Sequence, residues 1–285
     1  MAKAIRKRCG YGCVICGKPI YEYHHINGYR KETGHIEMEI TLLCDGCHRK
    51  ERGGLISRDD VVRSDANPIN RTNGRSAPDQ VWYAQGPVRI HIGTNTIHAN
   101  YFGDDGVTIL LLVLDGRPVL RLREEDGIWL LSARISDAWN RPLVQIHENE
   151  LVYLVEETDI TFVGGVLTVG PGSHPMLRIK FRPPDLFIQE AVFVWNGILV
   201  MISEKKGLHR INKDLVISGL QTDFQVVYNF GRDPANRGGF FRLGVPTRFS
   251  PVELEGQVRE IPESMFPLED ISIAERFDIL DEPSS

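Results

Sequence analysis

The chain has 285 residues and a net charge of −5 at pH 7, with 42% hydrophobic and 25% charged residues. This composition is typical of a soluble intracellular protein, and the length predicts one small and one larger domain. The longest apolar run, Ile109 to Leu114, is far too short to span a bilayer, and no secretory apolar segment follows the basic N-terminus. We therefore expect a cytoplasmic protein with no membrane partner.

Two CxxC pairs near the N-terminus predict a structural zinc site. Cys13 and Cys16 form the first pair, and Cys44 and Cys47 form the second. Each CxxC turn places two sulfurs on one side of a tight loop, so each pair supplies two corners of a tetrahedron. The pairs are 27 residues apart, more than the usual gap of roughly 15–20 residues, and the extra length is enough for a hairpin. Cys9 lies outside both pairs and is expected to be a free thiol.

The residues between and after the cysteine pairs predict a strand, a second strand and a helix. Ile20 to Tyr23 has strand composition and ends at a His-His pair, and Glu37 to Leu43 is the predicted return strand. Asp45 is the predicted cap of a short helix that stops at Gly53 and Gly54. Zinc would then pin the hairpin to the helix.

Three histidines lie inside this frame: His24 and His25 after the first strand, and His48 directly after Cys47. Taken singly, each could be an ordinary strand-end or helix-end histidine. Together they match what a metal-dependent nuclease needs, namely ligands for a catalytic cation and a base that activates water. His35, in the loop between the strands, is expected to be solvated.

From Arg8 to Ile56 the chain resembles an HNH endonuclease of the zinc-stapled ββα-metal type. The family pattern is matched by Cys13, Cys16, Gly17, His24, His25, Ile26, Leu42, Leu43, Cys44, Cys47, His48 and Arg49. The resemblance implies metal-dependent hydrolysis of DNA phosphodiester bonds. It assigns His25 as the general base and His24 and His48 as ligands of a catalytic Mg²⁺, Mn²⁺ or Ni²⁺.

The chain departs from this family at one place. The family's middle Asn usually lies five residues before the third cysteine, and Glu39 occupies that position here. Its expected task is to hold the loop and orient the histidine. Either Glu39 performs this task by a similar hydrogen bond, or Asn27 substitutes for it from the other side.

Charge divides the chain into a basic and an acidic part. Residues 1–58, the predicted nuclease domain, hold eleven Lys and Arg against six Asp and Glu, a net charge of +5; the remainder, with 22 against 32, carries −10. A cationic surface beside a metal site suits a nucleic-acid backbone. The predicted partner is therefore DNA, and the predicted phosphate contacts are Arg8, Arg49, Lys50 and Arg52.

The rest of the chain is predicted to be mainly β. Residues 59–80 are polar and rich in Asn, Gly and Pro, which favours a linker or an irregular strap. Residues 81–245 contain short apolar runs, several of them alternating, separated by turn pairs such as Asp115-Gly116 and Asn196-Gly197. They predict a sandwich or a flattened, barrel-like domain, through which the chain could form a homo-oligomer. Residues 246–285 form an acidic, Pro-rich tail that either is solvated or covers the basic nuclease face.

Two function classes follow from the sequence. The first is a metal-dependent endonuclease whose β-domain serves assembly, sensing or targeting. The second is a non-catalytic zinc module that binds nucleic acid or protein, in which the catalytic motif has decayed at Glu39. The three histidines favour the first class, and the absence of the family's Asn favours the second.

Overall fold

The computed structural model describes residues 1–29, 34–99, 107–155, 159–170, 175–210, 215–222, 226–231 and 241–244. The predicted acidic tail, residues 246–285, lies outside the described residues. The described helices all precede the main sheets: α1 (Ala2–Arg8), a 3-10 turn (Glu37–Glu39), α2 (Asp45–Arg52), α3 (Arg58–Ala66) and α4 (Ile69–Asn73). Among the described residues, no helix combines the length and apolar character needed to cross a membrane.

The predicted order of strand, strand and helix is present at the N-terminus. β1 (Glu22–His25) pairs antiparallel with β2 (Ile40–Leu43), which places His24 opposite Thr41 and His25 opposite Ile40. β2 then leads directly into α2. Buried residues of α1, β2 and α3, together with the cysteines, form a small separate core.

Three local predictions for this module need correction. The His-His pair belongs to β1 itself and does not follow it. Glu37–Glu39 forms a 3-10 turn, so the return strand starts only at Ile40. The cap of α2 is Cys44 and not Asp45, because the Cys44 sulfur accepts a hydrogen bond from the backbone N–H of Cys47, and Asp45 is the first helical residue. A sulfur in this position satisfies an N–H group that the helix would otherwise leave without a partner.

Two helices replace the predicted linker over residues 59–80. Ser57 accepts a hydrogen bond from the Asp60 N–H while the Asp60 carboxylate accepts one from the Ser57 N–H, a reciprocal cap that starts α3. Val61 on α3 is buried in the core of the N-terminal module, and Asn70 on α4 is almost fully buried. The polar composition led to the linker prediction, although α3 has a capping box at its start and buries Val61. The domain boundaries themselves stay a prediction.

Beyond α4 the described chain consists of strands in two sheets. The first sheet has eight strands in the order β20-β19-β6-β7-β8-β9-β10-β3. Its strands are β3 (Asp79–Gln80), β6 (Thr108–Leu114), β7 (Arg117–Glu125), β8 (Ile128–Ser136), β9 (Pro142–His147), β10 (Glu150–Tyr153), β19 (Val226–Gly231) and β20 (Phe241–Gly244).

The second sheet has ten strands, seven of which follow in the order of the chain from β11 to β17. Strand β4 pairs with β14 and β5, and β5 also pairs with β18. Its strands are β4 (Val88–Ile92), β5 (Asn95–Ala99), β11 (Ile160–Val163), β12 (Val166–Val169), β13 (Leu177–Arg182), β14 (Asp185–Trp195), β15 (Ile198–Ser203), β16 (Gly207–Arg210), β17 (Leu215–Ile217) and β18 (Gln221–Thr222).

The two sheets share one hydrophobic core, to which both contribute buried side chains. The described residues do not form a closed barrel, because the strand order of each sheet runs between different end strands. The fold is therefore mixed α+β and mostly β, and the barrel-like alternative is not what the described chain adopts.

The N-terminal module is joined to the β region by buried and partly buried polar contacts. The Tyr153 hydroxyl donates to the Tyr11 carbonyl at 2.5 Å, and the Tyr21 hydroxyl donates to the Ile160 carbonyl at 2.7 Å. Arg6 donates two hydrogen bonds of 2.7 Å to the Asp159 carboxylate. These contacts tie the turn after α1 to β10 of the first sheet, and they tie α1 and the segment before β1 to the start of β11 in the second sheet.

Candidate metal centre

Four cysteine sulfurs converge where the first CxxC turn meets the start of α2. Cys13 and Cys16 lie in the turn before β1, Cys44 caps α2, and Cys47 lies in its first turn. All four sulfurs lie within 4.8 Å of one another, and those of Cys16 and Cys44 are 3.5 Å apart. Cys13, Cys44 and Cys47 are buried, and Cys16 is half-buried.

Backbone hydrogen bonds hold the first turn in this position. The Cys13 N–H donates to the Lys18 carbonyl at 2.9 Å, and the Gly17 N–H donates to the Cys13 carbonyl at 2.8 Å. The Val14 N–H donates to the Leu42 carbonyl of β2 at 3.0 Å. The turn is thus fixed against the strand that leads to the second cysteine pair, which brings the two pairs together.

The chemistry of these four sulfurs fits zinc. Hydrogen bonds from the Cys13 and Cys16 thiols keep the pKa of Cys44 well below its usual range, whereas burial raises the pKa of Cys47 to about 12. Protein groups alone therefore favour only partial ionisation of the cluster, and a bound cation favours the thiolate form of each ligand. Four thiolates in paired CxxC spacing are a typical structural zinc donor set. The cluster could hold the structural zinc that the sequence predicts.

Cys9 does not belong to this cluster. Its side chain is fully buried, with its sulfur 3.7 Å from the Thr41 hydroxyl and 3.5 Å from the Asp65 carboxylate. Burial raises the pKa of the Cys9 thiol to about 11, so it stays protonated at neutral pH. It is a packing residue of the N-terminal core.

A second group that could hold a metal ion consists of His24 on β1 with His48 and Glu51 on α2. One ligand atom from each lies within 4.8 Å of the others. The His24 and His48 rings are 5.0 Å apart at 70°, and His24 Nε2 is 3.8 Å from Glu51 Oε2. His48 and Glu51 share a helix face because they are three residues apart. Two imidazoles and one carboxylate leave coordination positions open, as catalytic metal sites do.

The surroundings prepare both histidines for ligation. Burial lowers the pKa of His24 below its usual value, so the ring is neutral at pH 7 and offers a lone pair. His48 Nδ1 lies 3.0 Å from Glu22 Oε2. A carboxylate accepts a hydrogen bond, so Nδ1 donates, which in the neutral ring leaves the lone pair on Nε2. A carboxylate on the far ring nitrogen is the usual way in which a metal-binding histidine is oriented.

His25, the predicted general base, has different neighbours from His24. Its Nε2 lies 2.9 Å from His35 Nδ1, and its ring also contacts Tyr29. The sequence prediction of a solvated His35 is correct about exposure but missed this hydrogen bond. The structure thus brings His24 and His48 together and places His25 beside the other end of the loop between the two strands.

Glu39 and Asn27, the two alternatives for the family's Asn, are hydrogen-bonded to each other. Asn27 Nδ2 donates to Glu39 Oε1 at 3.0 Å, and the Arg58 guanidinium donates to Asn27 Oδ1. The Ile26 N–H donates to the Glu39 carbonyl at 2.8 Å. Both residues therefore hold the loop that follows His25, and neither is in the group of candidate metal ligands among the described residues.

The predicted phosphate contacts divide into two kinds. Arg8 is engaged inside the module, where it pairs with Asp65 and donates to the Ile40 carbonyl. This arrangement argues against the predicted phosphate contact, because those bonds would have to break. Arg49, Lys50 and Arg52 are exposed on α2, and the salt bridge of 2.8 Å from Arg49 to Asp45 is itself largely exposed.

Two carboxylates of the site were not found from the sequence. Glu51 follows His48 by three residues on a helix that the sequence predicts, so the helical spacing could have indicated it. Glu22 has no such signal, because its contact depends on the pairing of β1 with β2 and on where α2 lies.

No protein-family profile, curated protein or solved structure matches this chain.

Proposed function

We propose that this protein is a metal-dependent endonuclease of the HNH type that hydrolyses DNA phosphodiester bonds. The observation that carries the proposal is the convergence of His24, His48 and Glu51 beside a four-cysteine cluster on one strand–strand–helix unit. A structural and a catalytic metal site in this relation match the residues on which the family resemblance rests.

The side chains support separate roles for the metal ligands and for the general base. His24, His48 and Glu51 would hold the catalytic cation, with Glu22 orienting His48. A divalent cation in that place supplies stabilisation of the negative charge on the reacting phosphate. His25 would accept the proton of the attacking water. Its hydrogen bond to His35 engages Nε2, which leaves Nδ1 for that proton.

Substrate contact would come from the outer face of α2. Lys50 and Arg52 are exposed there, and a cationic surface beside a metal site neutralises the phosphates on either side of the cleaved bond. The test is incubation of the purified full chain with plasmid DNA and Mg²⁺, Mn²⁺ or Ni²⁺. We expect cleavage products with at least one cation and none with excess chelator. Absence of cleavage under all three cations, with zinc bound and the protein folded, would contradict the proposal.

One observation favours a second candidate, a zinc module that binds nucleic acid without cutting it. Glu39 occupies the position of the family's Asn, and its carboxylate already accepts a hydrogen bond from Asn27. A mobility-shift assay with short duplex DNA separates the candidates. Binding without cleavage supports the second one, and binding that becomes cleavage when a divalent cation is added supports the first.

A further inference from the structure

An aromatic pair lies on the outer face of the second sheet. Leu186 and Ile188 on β14 belong to the shared hydrophobic core, so Phe187 between them points to the opposite face. His91 lies opposite Phe187 on β4, and the two rings are stacked, with centroids 4.3 Å apart and an interplanar angle of 6°. Both side chains are half-buried. Because each ring covers only one face of the other, the pair keeps an outer ring face on either side.

The pair is held in place and carries no charge at neutral pH. His91 Nδ1 lies 3.1 Å from the Thr96 hydroxyl on β5, and this hydrogen bond orients the imidazole. Burial lowers the pKa of His91 below its usual value, so the ring is neutral at pH 7. Two uncharged, parallel rings are a surface on which a nucleobase can stack, because every base has a π-face.

Two cations on the neighbouring strand flank this pair. Lys180 on β13 lies directly opposite Phe187, and Arg182 follows two residues later on the same face. Among the described residues, neither cationic side chain has an ion pair or a hydrogen bond. Arg182 is exposed and Lys180 is half-buried. Cations beside an exposed aromatic surface are the combination with which proteins hold the phosphates and bases of a nucleic-acid strand.

The carboxylates of the same strands are already paired. Asp185 accepts hydrogen bonds of 2.9 and 2.7 Å from the Arg89 guanidinium, and Glu190 accepts one of 3.0 Å from Arg178. Strands β4, β5, β13 and β14 together contain four Lys and Arg and these two carboxylates, a net charge of +2. Residues 59–285 as a whole carry −10, so positive charge is concentrated around the aromatic pair.

We propose that this face of the second sheet binds single-stranded nucleic acid. A base stacks on the pair formed by Phe187 and His91, and the phosphates next to it lie on Lys180 and Arg182. A single strand suits the surface better than a duplex does, because only unpaired bases expose a π-face to a protein. The surface belongs to the β region and shares no residue with the proposed nuclease site, so either proposal can fail without the other.

The test measures binding of a fluorescein-labelled oligothymidine, about 12 nucleotides long, to the full chain by fluorescence anisotropy. No divalent cation is added, so metal-dependent cleavage does not interfere. We expect saturable binding that weakens as the salt concentration is raised, because phosphate contacts release counterions. Absence of binding at low salt would overturn the proposal.

A variant of the ring tests the stacking. Phe187→Leu keeps an apolar side chain and should weaken binding by about tenfold, as loss of one base–aromatic stack does. The fold should survive, because Phe187 belongs to neither hydrophobic core, and circular dichroism checks it. If Phe187→Leu does not fold, Phe187→Met replaces it. Tyr83→Leu is the matched control, because Tyr83 is half exposed and precedes β4, and it should bind as the wild type does.

A double variant tests the charges. Lys180→Gln with Arg182→Gln should weaken binding and reduce its salt dependence, because two phosphate contacts are lost. Arg121→Gln with Arg123→Gln removes the same charge from β7 of the first sheet and should change neither. Wild-type affinity in both folded variants of the proposed surface would show that the strand binds elsewhere. A loss with the charge variant alone would show a polyanion surface without base stacking. Either result refutes the proposal.

Discussion

His24 and His25 are neighbours in the chain, yet their rings contact different parts of the molecule. His24 meets His48, and His25 meets His35. This follows from the strand they share, because successive side chains of a strand point to opposite faces. Adjacent histidines can thus serve separate roles, one as a ligand and one as a base, without competing for the same cation.

The first prediction concerns His25. If His25 is the base, His25→Ala should lower the rate of plasmid cleavage by about 10²-fold or more, since general-base catalysis typically contributes that much. Zinc content should not change, because His25 belongs neither to the four-cysteine cluster nor to the second group of candidate metal ligands. The rate is measured by gel electrophoresis of timed samples. His147→Ala, an exposed histidine of β9, is the control; equal activity of both variants would refute the assignment.

The second prediction concerns Glu51. Glu51→Gln replaces a carboxylate by an amide of the same shape, and an amide is a weaker ligand for a hard cation. We expect half-maximal cleavage to require a higher concentration of Mg²⁺ or Mn²⁺ than in the wild type. Saturating cation should restore part of the activity, and the zinc content should not change. Glu150→Gln, at an exposed position of β10, should leave the cation requirement unchanged. A Glu51→Gln protein with the wild-type requirement would remove Glu51 from the site.

At the scale of secondary-structure elements, the first CxxC turn packs so closely against α4 that position 17 has no room for a side chain. Gly17 has a φ of +79°, and a Cβ added there would lie 2.3 Å from Asn70 Oδ1 and 3.2 Å from the Ala77 N atom. Asn70 also donates from its Nδ2 to the Gly10 carbonyl at 3.2 Å. The zinc turn is therefore held by α4 as well as by β2.

The third prediction follows from this contact. Gly17→Ala should lower the free energy of unfolding by more than Gly28→Ala does. Both glycines have a left-handed backbone, but a Cβ at Gly28 (φ +73°) meets nothing within 4 Å. Gly28→Ala should therefore cost only the conformational penalty, about 1–2 kcal/mol, whereas Gly17→Ala adds displacement of Asn70. Urea unfolding followed by circular dichroism measures both, and equal losses would contradict the packing argument.

Elements that depend on local signals were predictable from the sequence. The Asp115-Gly116 and Asn196-Gly197 turns both have positive φ at both residues and join consecutive strands, as short hairpins require. The convergence of the four cysteines follows from the spacing of the two CxxC pairs, whereas the approach of His24 to the helix was implied by the family resemblance. The helices α3 and α4 were missed because the polar composition was given more weight than the Ser57–Asp60 cap. The parallel pairing of β4 with β14 had no local signal, because it joins strands far apart in the chain.

On the scale of the whole molecule, the N-terminal module and the β region depend on each other. Tyr153 lies in the main hydrophobic core, and its hydroxyl is bonded to the Tyr11 carbonyl in the turn before the first cysteine. The Ala77 N–H donates to the Gly17 carbonyl, and the Ser76 N–H donates to the Tyr153 carbonyl, each at 3.0 Å. A disturbance of the zinc turn should therefore reach β10.

The fourth prediction tests this connection directly. Tyr153→Phe removes one hydroxyl and leaves the buried Tyr11 carbonyl without that donor, which should lower the free energy of unfolding by about 1–3 kcal/mol. The control is Tyr83→Phe, because Tyr83 is half exposed and loss of its hydroxyl leaves no buried group without a hydrogen-bond donor. Thermal and urea unfolding provide the comparison. A loss no larger than that of the control would show that the contact contributes little to joining the two parts.

The last prediction concerns removal of zinc. A module of this size buries too little apolar surface to fold alone, so the free energy of zinc binding is largely its folding free energy. Chelation should unfold the hairpin and α2. Because β10 pairs with β3 at Glu150 and Gln80 and receives the contacts from Ser76 and Tyr11, we expect its protection to fall with that of the module. The pairing of β14 with β15 has no such contact and should stay protected.

Hydrogen exchange read by mass spectrometry distinguishes these regions. With chelator, peptides covering residues 40–52 and 150–153 should exchange much faster, and peptides covering 192–200 should exchange at the rate of the untreated protein. Chelator saturated with zinc beforehand is the control and should change nothing. Protection of 150–153 equal to that of 192–200, with 40–52 exposed, would mean that the β region folds independently of the module. Continued protection of 40–52 after elemental analysis shows loss of zinc would mean that hydrophobic packing alone holds the cysteines together.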